Sequence, residues 1–142
     1  MNIAVRYHSR TGNTEKLAHA IAEEAGVEAA NLSSPLTERA EVLFLGSALY
    51  AGKPDGEVKR FIAENKENIG VIVSFGTSAS PSSTYKHIKK YADENGVAIL
   101  ASEFSCRGKF LFMHKNRPNG DDLAAARSFA RSALEEIEKT PL

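Results

Sequence analysis

The sequence predicts an α/β protein in which a five-stranded parallel sheet is covered by helices on both faces, a three-layer α-β-α sandwich. Two observations carry this. Short, nearly continuous apolar runs bounded by Gly, Ser or Asn recur along the chain, as expected of strands buried on both faces. Between them lie stretches with apolar residues at helical spacing, and this alternation marks strand–helix–strand units with right-handed crossovers.

The elements follow in order. Ile3, Val5 and Tyr7 form the first run. Leu17, Ala18, Ile21 and Ala25 then repeat at helical spacing, and Gly26 follows as the residue that stops the helix. A weaker strand is expected near 27–32. Residues 41–46 (EVLFLG) form the next apolar run, and Val58, Phe61 and Ile62 a second helical stripe. Residues 69–74 (IGVIVS) and 97–101 (VAILA) are the last two strands. They flank a third stripe, Tyr85, Ile88 and Ala92, closed by Asn95-Gly96. Leu123, Ala126, Ala130, Ala133, Leu134 and Ile137 make the longest helix. With no repeat, low-complexity tract or linker, residues 1–142 are expected to be one domain, and the chain reads as complete.

Composition narrows the function classes. Hydrophobic residues are 42% and charged residues 25%, which excludes disordered and fibrous chains. Lys plus Arg and Asp plus Glu are 18 each, so nothing marks the whole chain as a nucleic-acid or membrane-surface binder. The single cysteine, Cys106, can form no internal disulfide and has no metal-ligand spacing around it. His8, His19, His87 and His114 contain no i,i+4 pair. Residues 1–6 (MNIAVR) lack a signal-peptide core, and no run approaches the ~18–20 apolar residues of a membrane span. The expectation is a soluble cytoplasmic protein.

Open parallel sheets bind ligands outside the C-terminal strand ends, near the point where strand order reverses. That directs attention to the loops at 8–14, 47–54, 75–82 and 104–118. The first contains Ser9-Arg10-Thr11-Gly12-Asn13-Thr14 and opens the first helix. A helix N-terminus with unpaired N–H groups, neighbouring hydroxyls and a glycine is suited to a phosphate. The same residues are good helix caps, so the loop alone supports either reading.

Several other chemistries are excluded. There is no G-x-G-x-x-G. Residues 46–53 (GSALYAGK) miss the Walker A spacing by one residue, and Pro54 stands where a Ser or Thr would hold magnesium. Residues 76–80 (GTSAS) lack the last glycine of a nucleophile elbow. A cysteine phosphatase would need an arginine six residues beyond Cys106, where Phe112 stands. A receiver domain would need acidic residues where Tyr7-His8 and Gly46-Ser47 stand.

Ser9–Thr14 resembles the phosphate-binding loop of flavodoxins, T/S-x-T-G-x-T. Residues 47–54 (SALYAGKP) followed by 58–61 (VKRF) are similar to the flavodoxin isoalloxazine loop and the V-x-x-F after it. The 104–108 segment (FSCRG) is similar to an F-x-C-x-G of flavodoxin-like proteins. The resemblance covers the whole chain and implies the flavodoxin strand order 2-1-3-4-5. It further implies FMN as cofactor, with the phosphate on Ser9, Thr11, Asn13 and Thr14 and on the backbone of Arg10 and Gly12. The flavin ring would lie against Ala48, Leu49, Tyr50, Ala51 and Gly52. Tyr50 would be the aromatic against a ring face, and the Ala51-Gly52 peptide would be free to reorient towards flavin N5. Residues 75–78, with Phe75, Gly76 and Thr77, would close the other side, Phe75 either facing the ring or capping the sheet. His8, beside the phosphate loop, either tunes it or is simply exposed.

The implied function is electron carriage between redox partner proteins, with no catalytic side chain and no nucleic-acid partner. The alternatives are an FMN-dependent oxidoreductase acting on a quinone or porphyrinogen-type substrate, and a flavin-free binding module of the same fold. The chain departs from acidic flavodoxins in being neutral. Arg10 and Lys53 lie at the site, and Arg107, Lys109, Lys115 and Arg117 stand against Glu103 alone in residues 103–117. A reduction potential less negative than that of an acidic flavodoxin is therefore expected. The aromatics of that segment are expected to continue the last strand and cover the core.

Overall fold

The computed structural model describes residues 1–50, 53–78, 84–107 and 118–139. Among these residues five strands and four helices follow in the order β1 (Ile3–Tyr7), α1 (Asn13–Ala25), β2 (Ala29–Asn31), β3 (Ala40–Ala48), α2 (Gly56–Asn65), β4 (Ile69–Ser78), α3 (Tyr85–Glu94), β5 (Ala98–Arg107) and α4 (Gly120–Lys139). A short 3-10 turn, Lys66–Asn68, joins α2 to β4. The sheet is parallel throughout, in the order β2-β1-β3-β4-β5. The expected fold class and strand order are both observed.

The continuous apolar runs follow from burial on both faces. Along β3, Val42 and Phe44 face a core shared with Leu17, Ile21, Ala126 and Ala130 of α1 and α4. Leu43 and Leu45, one residue out of step, face a second core with Val58, Ile62, Ile88 and Ala92 of α2 and α3. All four β3 side chains are fully buried, as period-two alternation requires when both faces are covered. The alanines of α4 bring it close to α1. Outside that contact, Arg127 and Arg131 pair with Glu23 and Glu24. Helix α1 stops at Gly26, which is left-handed (φ 75°) as its C-terminal signal predicts.

Three segments expected as loops begin as strand. Residues 47–48 are the end of β3. Residues 75–78 belong to β4 and pair with Phe104–Arg107 of β5. The apolar run at 97–101 gives way to Ser102-Glu103, which reads as the end of a strand. The register between β4 and β5 shifts there, Ile72 facing Ile99 and Ser74 facing Glu103, and pairing then resumes. A bulge thus hides the second half of β5 behind a polar interruption. Among the described residues, no helix is long and apolar enough to cross a membrane.

Gly46 leaves the room beside β3 that the Phe75 ring fills. A Cβ there would lie 2.2 Å from the Phe75 ring, so any side chain would displace a fully buried aromatic.

Candidate functional site

The first strand–helix turn lies at the C-terminal end of β1, beside the longer β3. Gly12 is the N-cap of α1 with φ 88°, a conformation that costs other residues strain. It contributes no capping side chain, so the first-turn amides of α1 are presented outward at its positive end. The Gly12 N–H donates to Ser9 Oγ at 2.9 Å, which closes the turn. Asn13 and Thr14 are buried. Thr14 Oγ1 lies 2.8 Å from Thr77 Oγ1, tying the start of α1 to the end of β4. An anion at this turn would meet backbone N–H groups, hydroxyls and the helix dipole together.

The second turn follows β3. The Leu49 N–H donates to the Thr77 carbonyl at 3.2 Å, extending the β3–β4 contact past Ala48. Tyr50 and Lys53 exchange both backbone hydrogen bonds, at 2.7 and 3.1 Å, making a tight reversal. The Ala51 and Gly52 contacts expected from sequence lie outside the described residues. Asp55 then caps α2, accepting from the Glu57 N–H at 2.9 Å.

These two turns meet. The Arg10 N–H donates to the Tyr50 hydroxyl at 3.1 Å. The Arg10 guanidinium lies 3.7 Å from the centroid of the Tyr50 ring and reaches Asp55 Oδ2 at 2.8 Å. His8 Nε2 approaches the same carboxylate oxygen at 3.6 Å, and the His8 ring stands nearly perpendicular to that of Tyr50. Its Nδ1 is buried with no hydrogen-bond partner among the described residues. The hydrogen bond from Arg10, then that from the Glu57 N–H, holds the Asp55 carboxyl below the usual range. Desolvation pushes the Tyr50 hydroxyl up, against the pull of Arg10.

The structure therefore brings Ser9, Arg10, Gly12, Thr14, Tyr50 and Thr77 into one neighbourhood, with Ala48 and Leu49 at its β3 border and Thr11 and Asn13 in the first turn. Gly76 lies in β4 directly beside β3, where a Cβ would sit 2.3 Å from the Ser47 carbonyl oxygen. Of the two expected places for Phe75, facing the ring or on the sheet, the structure gives it the sheet side. It is fully buried in the core between the sheet and α1/α4, and its ring rests where Gly46 has no side chain. The core takes Phe75 and leaves it no surface to offer a ligand. Phe104, at the start of the basic-aromatic segment, packs on Phe129 of α4 with ring centroids 5.7 Å apart; residues 108–117 lie outside the described residues. Sequence reasoning missed Asp55. Its position ahead of a helix marks it as a cap, but nothing local points to Arg10, 45 residues earlier.

Comparison with known proteins agrees with this architecture. A family model described as a flavodoxin domain matches residues 4–115. A curated relative, an uncharacterized protein of Methanocaldococcus jannaschii, is 29% identical over 136 residues, covering 86% of this chain and 90% of its own. Among solved structures, a flavodoxin from the domain Archaea superposes with a TM-score of 0.79 at 18% identity, covering 97% of this chain and 99% of that one. Oxidised flavodoxin 2 from Bacillus cereus gives 0.71 at 18% identity, over 96% and 100%. These structural likenesses show the fold, and the family model reaches from β1 through β5 across both turns of the site. By that match the chain belongs to the flavodoxin family, whose cofactor is a flavin.

Proposed function

We propose that this protein binds FMN between the Ser9–Thr14 turn and the Tyr50 turn and carries electrons between redox partner proteins. The observation that carries this reading is the meeting of the two turns. An α1 N-terminus with no side-chain cap and with Gly12 at φ 88° stands beside an aromatic side chain from the turn after the neighbouring strand, joined to it through Arg10.

The residues present fit such a ligand. Ser9, Thr11, Asn13 and Thr14, with the amides of Arg10 and Gly12, would hold the phosphate, and the dipole of α1 favours its negative charge. Ala48, Leu49, Tyr50, Ala51 and Gly52 would border the ring, Tyr50 offering a flat apolar surface. Gly76 and Thr77 support that border from β4, and the Leu49–Thr77 hydrogen bond keeps the β3 end in place. The flavin supplies the redox chemistry when bound, and the protein supplies binding, orientation and local charge. Arg10 is paired with Asp55, so its charge near the ring is partly offset, whereas Lys53 brings a further cation to the Tyr50 turn. The neutral composition supports a potential less negative than in an acidic flavodoxin.

The function is tested with purified, FMN-loaded protein reduced anaerobically and mixed with cytochrome c as a protein acceptor. Electron transfer to the acceptor, with no steady-state turnover of a small quinone, is expected. Sustained quinone turnover without a protein partner would assign an enzyme instead.

A further inference from the structure

Arg10 makes two contacts to one aromatic side chain. Its backbone N–H donates to the Tyr50 hydroxyl at 3.1 Å. Its guanidinium lies 3.7 Å from the Tyr50 ring centroid, which is stacking distance. The far end of the guanidinium is held by Asp55 at 2.8 Å. The two ends of this tie differ in exposure: the Arg10 side chain is 55% exposed, whereas that of Asp55 is 20% exposed and also caps α2. A carboxylate tied into a helix cap therefore holds an exposed, planar cation on the aromatic face of the site.

We propose that Arg10 is a specificity residue, a latch that keeps ring-bearing ligands lacking a phosphate off Tyr50. This latch rests on the FMN reading above and deepens it. A planar guanidinium and a planar heterocycle compete for the same kind of surface on Tyr50. A ring without a phosphate must displace Arg10 unaided. A phosphate at the Ser9–Thr14 turn acts on both of Arg10's ties at once. It accepts from the Arg10 N–H that otherwise serves the Tyr50 hydroxyl. Its negative charge also draws the guanidinium away from Asp55. Phosphate binding thus clears the aromatic face, and by linkage the two events reinforce each other. FMN gains from this coupling and riboflavin does not.

The test is equilibrium titration of the wild-type apoprotein, Arg10→Ala, Asp55→Asn and the double variant with riboflavin and with FMN. Asparagine is as good a helix cap as aspartate, so Asp55→Asn keeps α2 intact. Removing a partly exposed stacked cation and its ion pair is expected to lower the riboflavin Kd of Arg10→Ala roughly tenfold. FMN should gain less or weaken, so the preference for FMN narrows. Asp55→Asn should tighten riboflavin in the same direction and add nothing in the Arg10→Ala background, as two members of one device do. Inorganic phosphate, compared with chloride at matched ionic strength, should tighten riboflavin binding to the wild type and not to Arg10→Ala.

If Arg10→Ala binds riboflavin no more tightly than a wild type that binds FMN, the latch is overturned and the FMN reading stands. If the wild type binds neither flavin and Arg10→Ala binds riboflavin, the latch is upheld and the FMN reading of the wild type falls. Failure of all four proteins to bind either flavin overturns both.

Discussion

The Arg10 guanidinium lies 3.7 Å from the centroid of the Tyr50 ring, and the Arg10 amide donates to the hydroxyl of the same side chain. One residue thereby couples the turn after β1 to the turn after β3. The two strands are neighbours in the sheet, so the coupling spans the place where the chain departs in opposite directions across the sheet: to β2 on one side and towards β4 on the other. Ligand crevices of open α/β sheets form at such points.

Gly12 has φ 88° and open space around its missing Cβ. Replacement by alanine meets no steric obstacle, so its cost is that of the left-handed backbone alone, about 1–2 kcal/mol. Urea denaturation of Gly12→Ala is expected to show that loss. FMN affinity should fall as well, because the turn must relax away from the conformation that presents the α1 amides.

Thr14 and Thr77 share a buried hydroxyl–hydroxyl hydrogen bond of 2.8 Å. Thr77→Val leaves the Thr14 hydroxyl buried and unpaired, which costs about 1–3 kcal/mol. The double variant Thr14→Val/Thr77→Val replaces both partners with groups of the same shape and should recover much of that loss. Chemical denaturation of the three variants checks this non-additivity. Purely additive losses would mean that each hydroxyl serves a separate partner.

Much of the fold was legible in the sequence because burial on both faces writes itself into composition. Residues 41–46 and 69–74 read as strands for that reason, and α1 showed both its apolar stripe and its terminating Gly26. What escaped was non-local. Ser102-Glu103 looks like a strand end because polarity is a local signal; the last strand does continue into Phe104, as its aromatic character predicts, but the β4 pairing and register shift that carry β5 past the polar pair leave no local mark. Phe75 is ambiguous in sequence because an aromatic near a strand end serves a ligand or the core equally well. The absence of a Cβ at Gly46, 29 residues earlier, opens the space its ring fills. The two loops were readable as motifs, but the ion pair that joins them, Arg10 to Asp55, has no sequence spacing to betray it.

Asn65 ends α2 and is buried. Its side chain donates to the Phe61 carbonyl at 2.9 Å and accepts from the Leu36 N–H at 3.0 Å. Asn65→Ala strands the Leu36 amide in the interior and should lower stability by about 1–3 kcal/mol in urea denaturation. This residue is remote from the two turns, so flavin affinity should hold.

The hydrogen bonds from Arg10 and from the Glu57 amide depress the Asp55 carboxyl in the folded protein. A depressed carboxyl stabilises the fold above its unfolded value, about 3.9, and that contribution disappears as pH falls through the folded value. The stability gap between wild type and Asp55→Asn should therefore be full near about pH 6 and close progressively below about pH 4. Urea midpoints measured across that range test the sign; a gap that widens on acidification would contradict the assignment.

The most direct test of the central claim is to mix the apoprotein with excess FMN, pass it through gel filtration and record the visible spectrum of the protein peak. Flavin absorption co-eluting at one FMN per chain, and much reduced in Gly12→Ala, is expected if the Ser9–Thr14 turn holds the phosphate. A colourless protein peak with all flavin in the small-molecule fraction would contradict the proposed site.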